Sequence, residues 1–191
     1  MNGRARIASG DLRGLDALEV DALALLFWEG RAQPLGVAGF VDWRLLGYVA
    51  RLILGAHFLG ARGEALLMPG TRGIGARRIF LLGLGARPDA TEAYVRAGLE
   101  QSCRVLADAR AVSVAVAPPP VEETNEAGED AARMAWATPE KISSTWLDVA
   151  RAEGDRFEDV VLLDARGMLG ASEAVIAKTA KKLGWTWGGK R

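Results

Sequence analysis

A single histidine, His57, and a single cysteine, Cys103, bound the nucleophilic chemistry open to this chain. A Ser–His or Cys–His pair has to take His57 as its base. No spacing ties His57 to Ser102 or Cys103. Its place at the end of a helical pattern gives it a simpler role, a cation at the negative end of the helix dipole. Cys103 sits among Gln101, Ser102, Arg104 and Val105 on a second helical pattern, the setting of a packed thiol. One cysteine forms neither an intramolecular disulfide nor a thiolate zinc site. Acid pairs stand at Glu122-Glu123 and Glu129-Asp130. Carboxylate pairs do acid–base work from a shaped cleft that splits their pKa values, whereas these lie in a polar, proline-flanked segment that reads as a solvated loop. No catalytic residue, no metal ligand and no cofactor is assigned.

Two glycine loops invite a phosphate. Gly70-Thr71-Arg72-Gly73-Ile74-Gly75 precedes a strand, whereas a dinucleotide fingerprint follows one and opens a helix. Arg78 also occupies the third glycine position, so this reads as a tight loop. Gly83-Leu84-Gly85 is better placed, at the C-terminal end of a strand and shortly before a helix that starts near Thr91. Glycine turns and helix N-termini hold phosphates. Gly83, Gly85 and Thr91 are therefore the candidate residues for a nucleotide-like ligand.

Tryptophan is the unusual residue, with six in the chain. Trp185 and Trp187 lie in a closing Gly-Trp-Thr-Trp-Gly-Gly-Lys-Arg stretch, residues 184–191. Two residues apart, they share one face of an extended segment. They pack on their own domain or anchor a partner, since tryptophan is enriched among interface hot spots. The expectation is that this tail docks on an apolar surface of this chain or of a second copy. Trp43 and Trp136 read as surface anchors or core edge.

The elements that must position these residues follow from patterning. The chain has 191 residues, 50% hydrophobic and 25% charged, enough for one domain over 1–191. Lys+Arg and Asp+Glu are both 24, so the basic surplus of a nucleic-acid binder is missing. The longest apolar run, Ala22 to Trp28, is far short of a membrane span, and the N-terminus lacks a signal-peptide core. A cytoplasmic protein with no membrane contact is expected. Val20 to Trp28, Arg78 to Leu84, Ala111 to Ala117 and Asp159 to Leu163 are short apolar runs, the mark of strands buried on both faces. Arg4 to Ala8 and Glu64 to Met68 are fainter strands. Helical spacing predicts one helix over Val41 to Leu59 and others over Thr91 to Ala109, Pro139 to Ala152 and Ser172 to Leu183, the last stopped by Gly184. Pro118 to Pro139 interrupts the rhythm as an exposed loop, with a short helix around Ala127 to Ala137. Alternating strands and helices predict an α/β fold with a mostly parallel sheet.

Four segments carry a family resemblance. Val20-Asp21-Ala22-Leu23-Ala24-Leu25-Leu26 with Glu29-Gly30 looks like an "ADALVV" strand and its acidic turn. Gly63-Glu64-Ala65-Leu66-Leu67-Met68-Pro69 is similar to "GE-LLLP". Arg77-Arg78-Ile79-Phe80-Leu81-Leu82-Gly83-Leu84-Gly85 is close to "KRVLLVGLG", and Ser113-Val114-Ala115-Val116-Ala117 resembles "SVAVAL". In this order they resemble the N-terminal, non-catalytic domain of the cytosolic leucyl aminopeptidases, matching over roughly Arg4 to Pro118. The resemblance implies a macro-domain-like three-layer α/β/α sandwich with a mixed, mostly parallel sheet. It implies a stand-alone binding or scaffold domain without peptidase activity. The family's two-metal site uses a lysine, three aspartates and a glutamate with an Asn-Thr-Asp-Ala-Glu-Gly-Arg-Leu signature, and this sequence has no counterpart to it. Macro-type domains as a class bind ADP-ribose-like ligands in loops after strands, so a nucleotide module built on Gly83 to Gly85 is one alternative. A regulatory subunit of a separately encoded aminopeptidase chain is another. A protein partner or self-association is expected over nucleic acid.

Overall fold

The computed structural model of the chain describes residues 3–30, 33–87, 91–120, 137–154, 156–164, 169 and 172–188. The strands are β1 (Arg4–Ser9), β2 (Val20–Phe27), β3 (Ala65–Pro69), β4 (Ala76–Gly83), β5 (Ser113–Ala117), β6 (Asp159–Asp164) and β7 (Thr186–Gly188). They form one sheet in the order β3-β4-β2-β5-β6-β1-β7. Only β3 runs antiparallel, against β4; the other neighbours are parallel.

Helices cover both faces, which is why the central strands are apolar at successive positions and not at alternate ones. Ala22, Ala24 and Leu26 face a core completed by α4 (Glu92–Asp108), α5 (Pro139–Ala152) and α6 (Glu173–Lys182), through Leu99, Leu106, Ile142, Trp146 and Ile176. Leu23, Leu25 and Phe27 face the opposite core. There α1 (Leu12–Asp16), α2 (Val37–Arg44) and α3 (Tyr48–Leu54) contribute Leu15, Val37, Val41 and Val49. The result is the expected three-layer α/β/α sandwich with a mixed, mostly parallel sheet. No helix among the described residues is long and apolar enough to cross a membrane.

The single helix expected over 41–59 is instead two. Leu46 and Gly47 take left-handed backbone, with φ of 55° and 76°. The Asp42 carboxylate accepts a hydrogen bond from the Ala50 amide at 2.9 Å, bracing the corner. Apolar spacing continues across such a corner, so periodicity alone runs the two helices together. The helix expected around 127–137, and most of the 118–139 loop, lie outside the described residues, as does Trp136.

The tail turns back. Gly184, at φ 83°, ends α6 while the Trp185 amide donates to Ala180 O, the left-handed termination that glycine permits. The chain then pairs in parallel with β1, Arg4 opposite Thr186 and Ala5 opposite Trp187. Trp185 is 3% exposed, and its indole Nε1 donates to Leu147 O at 3.1 Å. A Cβ on Gly3 would lie 2.5 Å from the Trp185 ring, so the absence of a side chain there makes room for it. The structure therefore places Trp185 in its own core and not on a partner-facing surface. Trp187 packs half-buried beside it.

Candidate functional site

In an open α/β sheet, ligands collect at the carboxyl ends of the strands, where two neighbouring strands send their connections to opposite faces. One such point lies between β2 and β5: α2 and α3, which follow β2, lie on one face, and α5, the next long helix described after β5, lies on the other. A crevice sits there, walled by Phe27 and Trp28 from β2, Leu35 and Ala38 from the approach to α2, and Ala117 and Pro118 through Pro120 beyond β5. Gln33 brings the lone polar side chain among its lining residues. The space open to a water-sized sphere is about 20 Å³, room for roughly one water molecule. The walls meet: a Cβ on Gly36 would stand 3.4 Å from the Pro120 ring. Among the described residues its lining includes no acid, base or nucleophile.

The Gly83-Leu84-Gly85 turn lies at the neighbouring strand end, and its backbone donors are engaged. The Gly83 amide donates to Glu64 O at 2.8 Å, Leu84 to Phe27 O at 2.8 Å and Gly85 to Gly60 O at 3.0 Å. The Ala86 amide donates to the Tyr94 hydroxyl at 3.0 Å. The glycines are required because other chain segments close on them. A Cβ on Gly83 would lie 2.0 Å from Ala61 O, and one on Gly85 would lie 2.3 Å from the Tyr94 hydroxyl. The Thr91 hydroxyl accepts from the Tyr94 amide at 3.2 Å, the N-cap of α4. Tyr94 links the turn to the start of α4, its hydroxyl at Ala86 and its amide at Thr91, and among the described residues these amides and this hydroxyl bond within the chain. Arg62 stacks over the Tyr94 ring at 3.5 Å and closes the outside of the turn.

Of the other reactive groups, Cys103 and Asp21 serve the fold, and the acid pairs at 122–123 and 129–130 lie outside the described residues. Cys103 is buried among apolar neighbours, and burial, with Glu153 and Glu100 nearby, pushes its thiol far above the ordinary range. It is the packed thiol that its helical context suggests. His57 is exposed just beyond α3. Asp21 ties the amino ends of β2 and β5: its carboxylate accepts from the Val112 and Ser113 amides at 3.1 and 3.2 Å, while its own amide donates to the Ser113 hydroxyl. Burial opposes its charge. The two amides, with Arg77 at 3.7 Å, outweigh that and hold its pKa below the usual value. Among the described residues no three His, Cys, Asp or Glu side chains converge as a metal site.

The sequence left Trp43 open between a surface anchor and core edge and did not single out Leu46. Trp43 is 63% exposed on α2, and Leu46 is 84% exposed at the corner before α3. The signal available was α2 itself, where apolar Trp43 falls outside the side formed by Val37, Ala38 and Val41, with Phe40 packed half-buried at its edge; an apolar residue beyond the stripe is one the helix does not bury against its own core.

Comparison with known proteins places these features. Residues 24–140 match the model of the N-terminal domain of the cytosol aminopeptidase family. A probable cytosol aminopeptidase of Ralstonia pickettii (strain 12J) is 35% identical over 101 residues, 53% of this chain and 20% of that protein. The chain thus spans about a fifth of the length of such relatives. Among solved structures, a tomato leucine aminopeptidase mutant superposes with a TM-score of 0.57 at 17% identity, covering 95% of this chain and 36% of that one. A Trypanosoma brucei macrodomain in complex with ADP superposes at 0.59 with 13% identity, covering 94% and 68%. At these identities the structural likeness establishes a macrodomain-like fold.

Proposed function

The chain belongs to the N-terminal domain family of the cytosol aminopeptidases, and from that premise we propose that these residues act as a non-catalytic, protein-binding scaffold domain with no peptidase activity of their own. What carries the reading is the wall chemistry of the switch-point crevice. A switch point of this architecture is lined, among the described residues, by Phe27, Trp28, Leu35, Ala117 and prolines with Gln33 beside them, and has room for roughly one water molecule. The engaged amides from Gly83 to Ala86 favour it further over a nucleotide module, while the exposed apolar side chains of α2 and its corner offer area to a protein.

The test uses the purified 191-residue chain with leucyl amide substrates and added zinc or manganese. The expected result is no turnover above buffer. Activity that co-purifies with the chain and is abolished by chelator would overturn the proposal. The rival nucleotide reading draws on the ADP-bound macrodomain neighbour. It predicts an ADP-dependent rise in melting temperature and a change in Trp28 emission; neither is expected here.

A further inference from the structure

Leu46 combines two features that are each unfavourable in an isolated chain. Its backbone is left-handed, at φ 55°, where a leucine is strained and glycine or asparagine is at ease. Its side chain is also 84% exposed. Trp43, 63% exposed, stands one turn earlier. Both line a shallow depression of about 670 Å³ that reaches Arg72. On the other side of Trp43 lies a second depression, about 440 Å³, walled by Leu12, Pro34, Leu35 and Phe40. A continuous apolar relief therefore runs past Trp43, with side-chain-sized hollows on both sides.

The rim is basic. The Arg51 guanidinium donates to Leu46 O at 2.8 Å and lies over the Tyr48 ring. Arg72 borders the first hollow, and Arg44 lies 5.6 Å from the centre of the Trp43 ring. The acids of this face are Asp16, paired with Arg44 at 2.7 Å, and Asp42, which lines the first hollow and accepts from the Ala50 amide at 2.9 Å. Among the described residues Arg51 and Arg72 have no carboxylate partner.

We propose that the outer face of α2 and the Leu46 corner dock an acidic amphipathic segment of a partner protein, whose apolar side chains cover Trp43 and Leu46 and whose carboxylates pair with Arg72 and Arg51. This rests on the reading of the chain as a protein-binding domain and names the face and the partner's chemistry. Charge complementarity selects the occupant. A second copy would bring the same arginines and, as acids of this face, only Asp16, held by Arg44, and Asp42, too few to pair Arg51 and Arg72 on both copies. A bilayer would leave the hollows beside Trp43 unfilled, and the chain as a whole has no net positive charge to draw it there.

The probe is a fluorescein-labelled synthetic helix with leucines at i, i+3, i+4 and i+7 and glutamates elsewhere, titrated with the full chain and read by anisotropy. Binding is expected, and it should weaken at least about tenfold in Leu46→Asn and in Arg72→Glu. The melting temperature of Leu46→Asn should be unchanged or higher, because asparagine relieves the left-handed strain. Arg72→Glu changes an exposed loop residue and keeps the test decisive should the corner variant fold poorly. The proposal is overturned by any of four results: no binding by the parent chain, equal binding of a lysine-for-glutamate probe, binding indifferent to both substitutions, or a patch that instead drives dimerisation or sedimentation with phosphatidylserine vesicles while ignoring the peptide. Peptidase turnover or an ADP-induced shift would remove the reading of the previous subsection without changing the peptide result. Loss of peptide binding alone removes only this assignment.

Discussion

Replacing Trp185 by alanine removes an indole that is 3% exposed, donates from Nε1 to Leu147 O at 3.1 Å and fills the space over Gly3. Truncating a buried tryptophan to alanine costs about 3–5 kcal/mol. Trp185 lies where the chain turns from α6 into the three-residue edge strand β7, so the surroundings collapse more readily than at the sheet centre, and the low end, about 3 kcal/mol, is expected. For a chain of this size each kcal/mol moves the melting temperature by roughly 2–4 °C, giving a fall of about 6–12 °C. Half-buried Trp187 should cost about half as much when truncated. Calorimetry gives the stability, and light scattering after gel filtration gives the mass in solution. Because the contacts are within one chain, the mass should stay the same in both variants. A Trp185→Ala protein that melts within about 2 °C of the parent, or one that keeps its melting temperature but loses an oligomer, would refute the reasoning, since the indole would then be supporting a contact between chains.

Two further outcomes follow from the glycine turn and the Asp21 clamp. Gly85→Ala should cost about 2–3 kcal/mol in urea unfolding, because its Cβ would meet the Tyr94 hydroxyl at 2.3 Å on a backbone of φ 86°. Gly30→Ala, at φ 78° with nothing within 4 Å, should cost only the left-handed strain of about 1 kcal/mol; equal costs would mean that Tyr94 yields freely. Asp21 has a folded-state pKa below its ordinary value of 3.8. Its contribution is therefore complete above that value and is lost as the pH falls through the lower folded value. Stability measured from pH 5 downward should fall less steeply in Asp21→Asn than in the parent, and parallel curves would show that the clamp carries no charge-dependent stability.

Much of the architecture was legible because a parallel strand covered on both faces has to be apolar at successive positions, and β2, β4, β5 and β6 are. The four motifs in order carried the family and, through it, a mixed sheet; that β3 is its antiparallel strand came from the structure. The ends of α4 and α6 were readable too, since the Thr91 cap and Gly184 stop act on their immediate neighbours. The corner at Leu46 was not, because leucine at that spacing fits a continuous helix and the Asp42–Ala50 hydrogen bond that braces the turn leaves no mark on the apolar period. Gly83 to Gly85 could be recognised as a turn from local residue types. What its amides bond to was decided by Gly60, Glu64 and Phe27 arriving from other segments. The crevice between β2 and β5 exists only because those strands are neighbours in the sheet, a property of strand order that no local pattern carries. The tryptophans show the same division. Residue type made Trp43 and Trp185 equally apolar, while exposure was set by what packs over each: Gly3 and Leu147 of α5 close on Trp185, and nothing among the described residues covers Trp43 to the same degree. Sequence determined the elements, whose causes are local. Which donors stayed free and which rings stayed bare was decided by contacts between segments far apart in the chain, and those exist only once the sheet has assembled.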